Sequence, residues 1–194
     1  MNQILDKIMS KLISGGFVKS EDTEIVRFGL ELTIMKTIIS AAMLIVAFSL
    51  HSAPAVISFM AVYQPLRSCC GGYHARTRCL CFFSSMMILL SVIAAEKLLT
   101  DTLGLISSLF FIISGLVLIF IFAPTDTPTK PFDNIERIVF RKRSLIASVF
   151  SVIAADIFML FDLYPLLIAA SMAIFYTGLL LILGRSLNKK GAIA

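Results

Sequence analysis

The stretch TLGLISSLFFIISGLVLIFIFA, residues 102–123, contains no charged side chain. Its apolar residues form a continuous run instead of alternating with polar ones, which favours a helix over a strand of a membrane barrel. A run of this length is enough for an α-helix to cross the hydrocarbon core of a bilayer. Backbone groups in hydrocarbon need partners within their own segment, and a helix supplies them. Residues 102–123 are therefore predicted to form a transmembrane helix.

The composition of the whole chain agrees with this prediction. Of 194 residues, 58% are hydrophobic and 15% are charged, and the mean hydropathy is +0.95. A soluble domain of this size could not hide so much apolar surface in one core, so lipid must surround most of it. We predict an all-α polytopic membrane protein with about six transmembrane helices. The other predicted helices, of which the second is short for a full crossing, cover residues 24–50, 53–66, 80–99, 145–161 and 165–183.

The N-terminal segment, residues 1–16, has the pattern of an amphipathic helix. Apolar residues recur at helical spacing, whereas Asp6, Lys7 and Lys11 lie off that stripe. Such a helix either lies in the membrane interface or packs on the other helices, and the sequence leaves both open. Gly15 and Gly16 are expected to end it.

We expect one membrane domain, residues 1–194, whose loops differ in charge. Basic residues lie before the first predicted spanning helix, in segment 67–81, in the Pro-rich loop 124–143 and in the C-terminal tail. Positive charge marks cytoplasmic loops, so both termini, segment 67–81 and loop 124–143 are predicted to be cytoplasmic. The net charge of +5 suits anionic lipid headgroups, and no nucleic-acid partner is expected.

Segment 67–81, RSCCGGYHARTRCLC, concentrates the reactive side chains of the chain. It contains His74, three arginines and all four cysteines. An imidazole beside a thiol can make a nucleophile, and polar groups at a membrane boundary are costly without a function. A zinc site of His74 with these thiols is a weaker alternative, because the cysteines lack the usual two-residue gaps. Spacing alone does not rank Cys69, Cys70, Cys79 and Cys81.

His74 and Cys81 are too far apart on a straight helix to react directly. Seven residues make two turns, or about 10 Å along the axis, whereas a base must come within about 3 Å of its proton donor. We therefore predict that the helix bends, unwinds or starts between them. Gly71 and Gly72 could supply the backbone freedom, and their amides are candidates for an oxyanion hole. Arg67, at the end of the second predicted helix, either favours the thiolate or only orients the chain.

The run Gly-Gly-Tyr-His-Ala, with a cysteine seven residues after the histidine, resembles the accessory gene regulator B family. These are membrane-embedded cysteine endopeptidases of Gram-positive quorum sensing. The resemblance implies a bacterial cell-membrane protein with His74 as base, Cys81 as nucleophile, and Arg67 and Gly72 in support. It also implies a short amphipathic propeptide as substrate, a thioester intermediate, and a cyclic thiolactone or lactone product, without a cofactor.

The same residues also bear on two other possible functions, a peptide transporter and a structural subunit. A small multispanning peptide transporter or exporter would need polar groups along a path across the bilayer, and such groups are sparse and scattered here. A purely structural role would not explain why histidine, arginine and cysteine side chains are concentrated in segment 67–81. The expected partners are the propeptide and membrane lipids, and a homodimer is the commonest symmetric assembly.

Overall fold

The computed structural model describes residues 2–15, 23–72, 77–125 and 133–191. These residues form seven α-helices and no strand. The helices are α1 (Asn2–Ser14), α2 (Thr23–Ser49), α3 (Ala53–Cys70), α4 (Arg78–Leu98), α5 (Asp101–Phe122), α6 (Asn134–Leu160) and α7 (Tyr164–Gly191).

Five of these helices are long and apolar enough to cross a membrane, namely α2, α4, α5, α6 and α7. The predicted all-α polytopic membrane fold is thereby confirmed. The remaining predicted crossing, residues 53–66, corresponds to α3, which is not one of the five. α3 extends four residues beyond its predicted end and includes Arg67 to Cys70. The first part of the predicted reactive segment is therefore the last turn of a helix.

The chain divides into two compact units, residues 1–43 and 44–194. In the first unit, α1 confirms the predicted N-terminal helix, and its Asp6 carboxylate pairs with Arg27 of α2 at 2.9 Å. Both side chains are exposed, and an exposed ion pair of this kind stabilises a fold only slightly. The single domain and the interfacial position of α1 stay predictions.

The second unit is built around α7. In α7, 61% of the apolar span is buried, against 22% or less in each of the other four, and α3, α4, α5 and α6 all pack on it. The contact with α5 is the most extensive. There Gly115 meets the backbone of α7 so closely that an added Cβ would lie 2.8 Å from the Ile174 oxygen. Small residues allow helix backbones in membranes to approach in this way.

Loop 124–143 is shorter than predicted, because α6 begins at Asn134. A capping box starts this helix, in which the Asp133 and Glu136 side chains bond to each other's backbone amides. Such reciprocal caps satisfy amides that have no partner inside the helix. The basic residues from Arg137 onward thus lie on a helix, and Arg141 donates to the Ala123 carbonyl at the end of α5, at 3.1 Å.

Candidate active site

Several helices come together at the end of α3. The Thr125 amide, just beyond α5, donates to the Cys70 carbonyl at 3.1 Å, and Gly72 lies against the Leu180 carbonyl of α7. Arg141 brings the start of α6 to the same place. Together with the start of α4, described below, these segments form what we call the site end of the second unit.

Two glycines turn the chain at the end of α3. Gly71 has φ 72° and Gly72 has φ 111°, and both lie in the range that favours glycine over residues with a Cβ. Gly71 forms an isolated bridge with Thr125. Its amide donates to the Arg67 carbonyl at 3.1 Å. The Gly71 amide is therefore engaged in ending the helix, and the oxyanion hole near the two glycines stays a prediction.

Arg67 lies at the centre of the described part of the site. Its guanidinium donates to the Gly71 carbonyl oxygen, one turn further along the chain. A Cβ on Gly72 would lie 2.5 Å from the Arg67 Nη1 atom. The lack of a side chain at Gly72 therefore makes room for the guanidinium.

Cys81 lies in the first turns of α4. Thr77 caps this helix by accepting from the Leu80 amide at 3.3 Å, and the Cys81 amide donates to the Thr77 carbonyl at 3.1 Å. The thiol is half-buried. The start of a helix favours a thiolate.

His74 lies outside the described residues, together with Tyr73, Ala75 and Arg76. The helix does begin between His74 and Cys81, at Arg78, as the spacing predicted. The direct pair of His74 with Cys81 stays a prediction.

The four cysteines, all free, differ in their surroundings. Cys70 is completely buried, and this burial raises the pKa of its thiol to about 12. Cys69 is half-buried and Cys79 is exposed. Cys70 is thus a packed side chain that no substrate can reach, whereas Cys79 and Cys81 lie on one turn of α4.

Metal ligands are not grouped in the described part of the chain. No three His, Cys, Asp or Glu side chains come together there in a way that could hold an ion. His74, on which the zinc alternative depends, lies outside that part.

Thr125 belongs to the site and was not singled out from the sequence. Thr125 is distant from Gly71 in the chain, and no local pattern pairs them. Only the meeting of α3 with the end of α5 brings them together.

The fold and the site define an integral membrane protein of several helices with a thiol site at one end of its second unit. A family model described as accessory gene regulator B matches residues 2–183, and the chain belongs to that family. Membership implies a part in processing the autoinducing peptide of quorum sensing. No curated protein and no solved structure matches the chain.

Proposed function

We propose that this chain is a membrane-embedded cysteine endopeptidase that processes a short amphipathic propeptide. It removes the C-terminal tail of the propeptide and holds the remainder as a thioester on Cys81. The observation that supports this best is the half-buried Cys81 thiol in the first turn of α4, directly after the Thr77 cap. The start of a helix favours the thiolate, which is the nucleophilic form of cysteine.

The first step is acyl transfer to the enzyme. His74 accepts the proton of the Cys81 thiol, and the sulfur attacks the carbonyl carbon of the scissile peptide bond. The carbon–nitrogen bond breaks, His74 returns the proton to the leaving amine, and the tail departs. The acyl group stays on Cys81 as a thioester.

The second step closes a ring. A thiol or hydroxyl inside the retained peptide attacks the thioester carbonyl, and Cys81 leaves with the proton that the attacking group gives up. The product is a cyclic thiolactone or lactone. Because both groups belong to one bound chain, closure is effectively unimolecular, and a water-poor interfacial site disfavours hydrolysis.

Three residues support this chemistry from the end of α3. Arg67 supplies the positive charge, and Gly72 leaves room for its guanidinium. Gly71 ends the helix and forms a bridge with Thr125, and this bridge holds the turn in place. The chemistry in this proposal requires no metal or organic cofactor.

The site end faces the cytoplasm in this proposal. Arg67 and Arg141 lie there, and Arg185 of α7 stacks over Phe122 of α5 at 5.5 Å. Such an accumulation of positive charge is typical of the cytoplasmic side of a membrane protein. It also suits anionic headgroups of surrounding lipids. Both termini are assigned to the same side.

The test is co-expression of the chain with a candidate propeptide, followed by mass spectrometry of the peptides. Cys81→Ala and His74→Ala are expected to abolish tail cleavage and the thioester adduct. Cys79→Ala is the matched control, because it removes an exposed thiol from the same turn of α4, and it should still cleave. Cleavage by Cys81→Ala would refute the proposal, and continued export of peptide by that variant would favour a transporter.

A further inference from the structure

A groove runs along the surface of the second unit between α3 and α6. Ser58 and Cys69 of α3 mark its two ends, and α6 lines it from Arg143 to Phe158. Its volume is about 470 Å³. Ser58 and Cys69 are eleven residues apart, or about 16 Å along a helix, so the mean cross-section is about 30 Å². An α-helix with its side chains is about 10–12 Å across and has about three times that area. The groove therefore suits an extended chain and is too narrow to enclose a helix.

The walls of the groove are apolar between its ends. Apart from serines, the described residues that line this part have hydrocarbon side chains. Ser58 donates its hydroxyl proton to the Leu166 carbonyl of α7 at 3.1 Å, and Ser151 donates to the Ala147 carbonyl at 2.8 Å. Both hydroxyl donors are thus used inside the protein. The described walls suit a hydrocarbon chain, which needs no hydrogen bond.

The end of the groove nearest the site end is positively charged. Arg143 is the charged residue among the described residues that line the groove. Its guanidinium lies over the Phe140 ring, 5.7 Å from the centroid, and its side chain is exposed. Lys142 precedes it, and the apolar run 145–161 of α6 begins two residues later. Arg143 is therefore placed where α6 passes from charged to apolar residues, which is the level of the lipid headgroups.

We propose that the groove between α3 and α6 binds one anionic phospholipid of the bilayer. An acyl chain lies along the apolar walls, and the phosphate accepts hydrogen bonds from the Arg143 guanidinium. Basic pockets between membrane helices bind anionic headgroups in this way. α3 is not among the five helices that are apolar enough to cross a membrane, and the bound chain supplies it with apolar cover. The site has no part in the proposed peptide chemistry, so either proposal can fail without the other.

Cys69 makes the occupancy of the groove measurable. Its half-buried thiol lines the same end as Arg143, so a lipid in the groove shields it from a maleimide. Cys79 is exposed on α4 and does not line the groove. The labelling rate of Cys79 is therefore an internal reference in the same molecule.

The purified full-length chain in neutral detergent is titrated with phosphatidylglycerol, and labelling of both cysteines is followed by peptide mapping. Labelling of Cys69 should slow about tenfold once about 90% of the grooves are occupied, whereas Cys79 should not change. Phosphatidylcholine with the same acyl chains should need at least about fivefold more lipid for half-saturation, which corresponds to about 1 kcal/mol for one basic residue near an anionic surface. Equal half-saturation by the two lipids, or no slowing of Cys69, would overturn the proposal.

Arg143→Gln removes the positive charge and keeps a long polar side chain. It should raise the amount of phosphatidylglycerol needed for half-saturation about fivefold and leave that of phosphatidylcholine nearly unchanged. Lys142→Gln is the matched control, because it removes the same charge from the next position of α6, which does not line the groove. It should leave both values close to wild type. No change in Arg143→Gln, or an equal increase in Lys142→Gln, would contradict a local headgroup site.

Ala61→Phe tests whether the acyl chain lies in the groove. Ala61 is exposed and lines its α3 side, so a phenyl ring there fills space that the chain needs and displaces no buried side chain. Native mass spectrometry should show that this variant and Arg143→Gln each retain one phosphatidylglycerol fewer than wild type. Retention of the same number by both would refute the proposal.

Two other occupants would give different results. Shielding of Cys69 that rises with protein concentration and does not depend on lipid would show that a second copy of the chain covers the groove. Shielding by added propeptide, with none by phosphatidylglycerol, would show that the groove holds substrate. Either result would overturn the lipid site.

Discussion

Gly71→Ala should loosen the junction between α3 and the end of α5. Gly71 has φ 72° and ψ −142°, close to the region that only glycine adopts readily. An added Cβ would lie 2.6 Å from the Thr125 carbonyl oxygen. That oxygen belongs to the backbone, so it cannot rotate away as the tip of a side chain could. The bridge between the two residues must therefore open.

The cost follows from two contributions. Holding a residue with a Cβ in this conformation costs about 1–3 kcal/mol. Loss of the bond from the Thr125 amide to the Cys70 carbonyl, 3.1 Å long, adds about 1 kcal/mol. We expect a total of about 2–4 kcal/mol, which raises the population of the open junction about 30-fold or more.

Cys70 reports on this opening directly, because it is completely buried and precedes Gly71. The rate at which a maleimide labels Cys70 in detergent is measured for wild type and Gly71→Ala at one pH. When opening and closing are fast, this rate follows the population of the open state. Labelling of Cys70 in Gly71→Ala should therefore be at least about 30 times faster than in wild type.

Gly29→Ala is the control for this experiment. Nothing lies within 4 Å of an added Cβ at Gly29, and alanine is favoured over glycine in a helix by about 1 kcal/mol. This variant should label no faster than wild type. Labelling of Gly71→Ala within about threefold of wild type, less than 1 kcal/mol, would show that neither the strain nor the close contact is real.

Two further predictions follow from the packing. At pH 8, a maleimide should label the exposed Cys79 of the wild-type chain far faster than the buried Cys70, as measured by peptide mapping. Because burial raises the pKa of Cys70 to about 12, the rate of Cys70 labelling should keep rising as the pH is raised above 8. Gly115→Leu should lower the thermal unfolding temperature in detergent, because an added Cβ already meets the Ile174 backbone at 2.8 Å and overpacking costs about 1–3 kcal/mol. An unfolding temperature equal to that of Gly29→Ala would contradict the close contact of α5 with α7.

The main difference between prediction and structure is the start of α6. The charges from Arg137 onward predict a loop, because such residues rarely lie inside a spanning run. The capping box of Asp133 and Glu136 is a local signal that places the helix start correctly. α3 is also longer than its apolar run, since it continues through Arg67 and Ser68 to Cys70.

The class of fold and the clustering of reactive side chains in residues 67–81 can be read from the amino-acid sequence alone. Continuous apolar runs require helices in lipid, and the composition of residues 67–81 is visible without any structure. Tertiary structure alone decided that α7 is the central helix and that Gly71 joins Thr125. These contacts join residues on different helices, and helical periodicity shows which side of a helix is apolar without showing which helix will cover it.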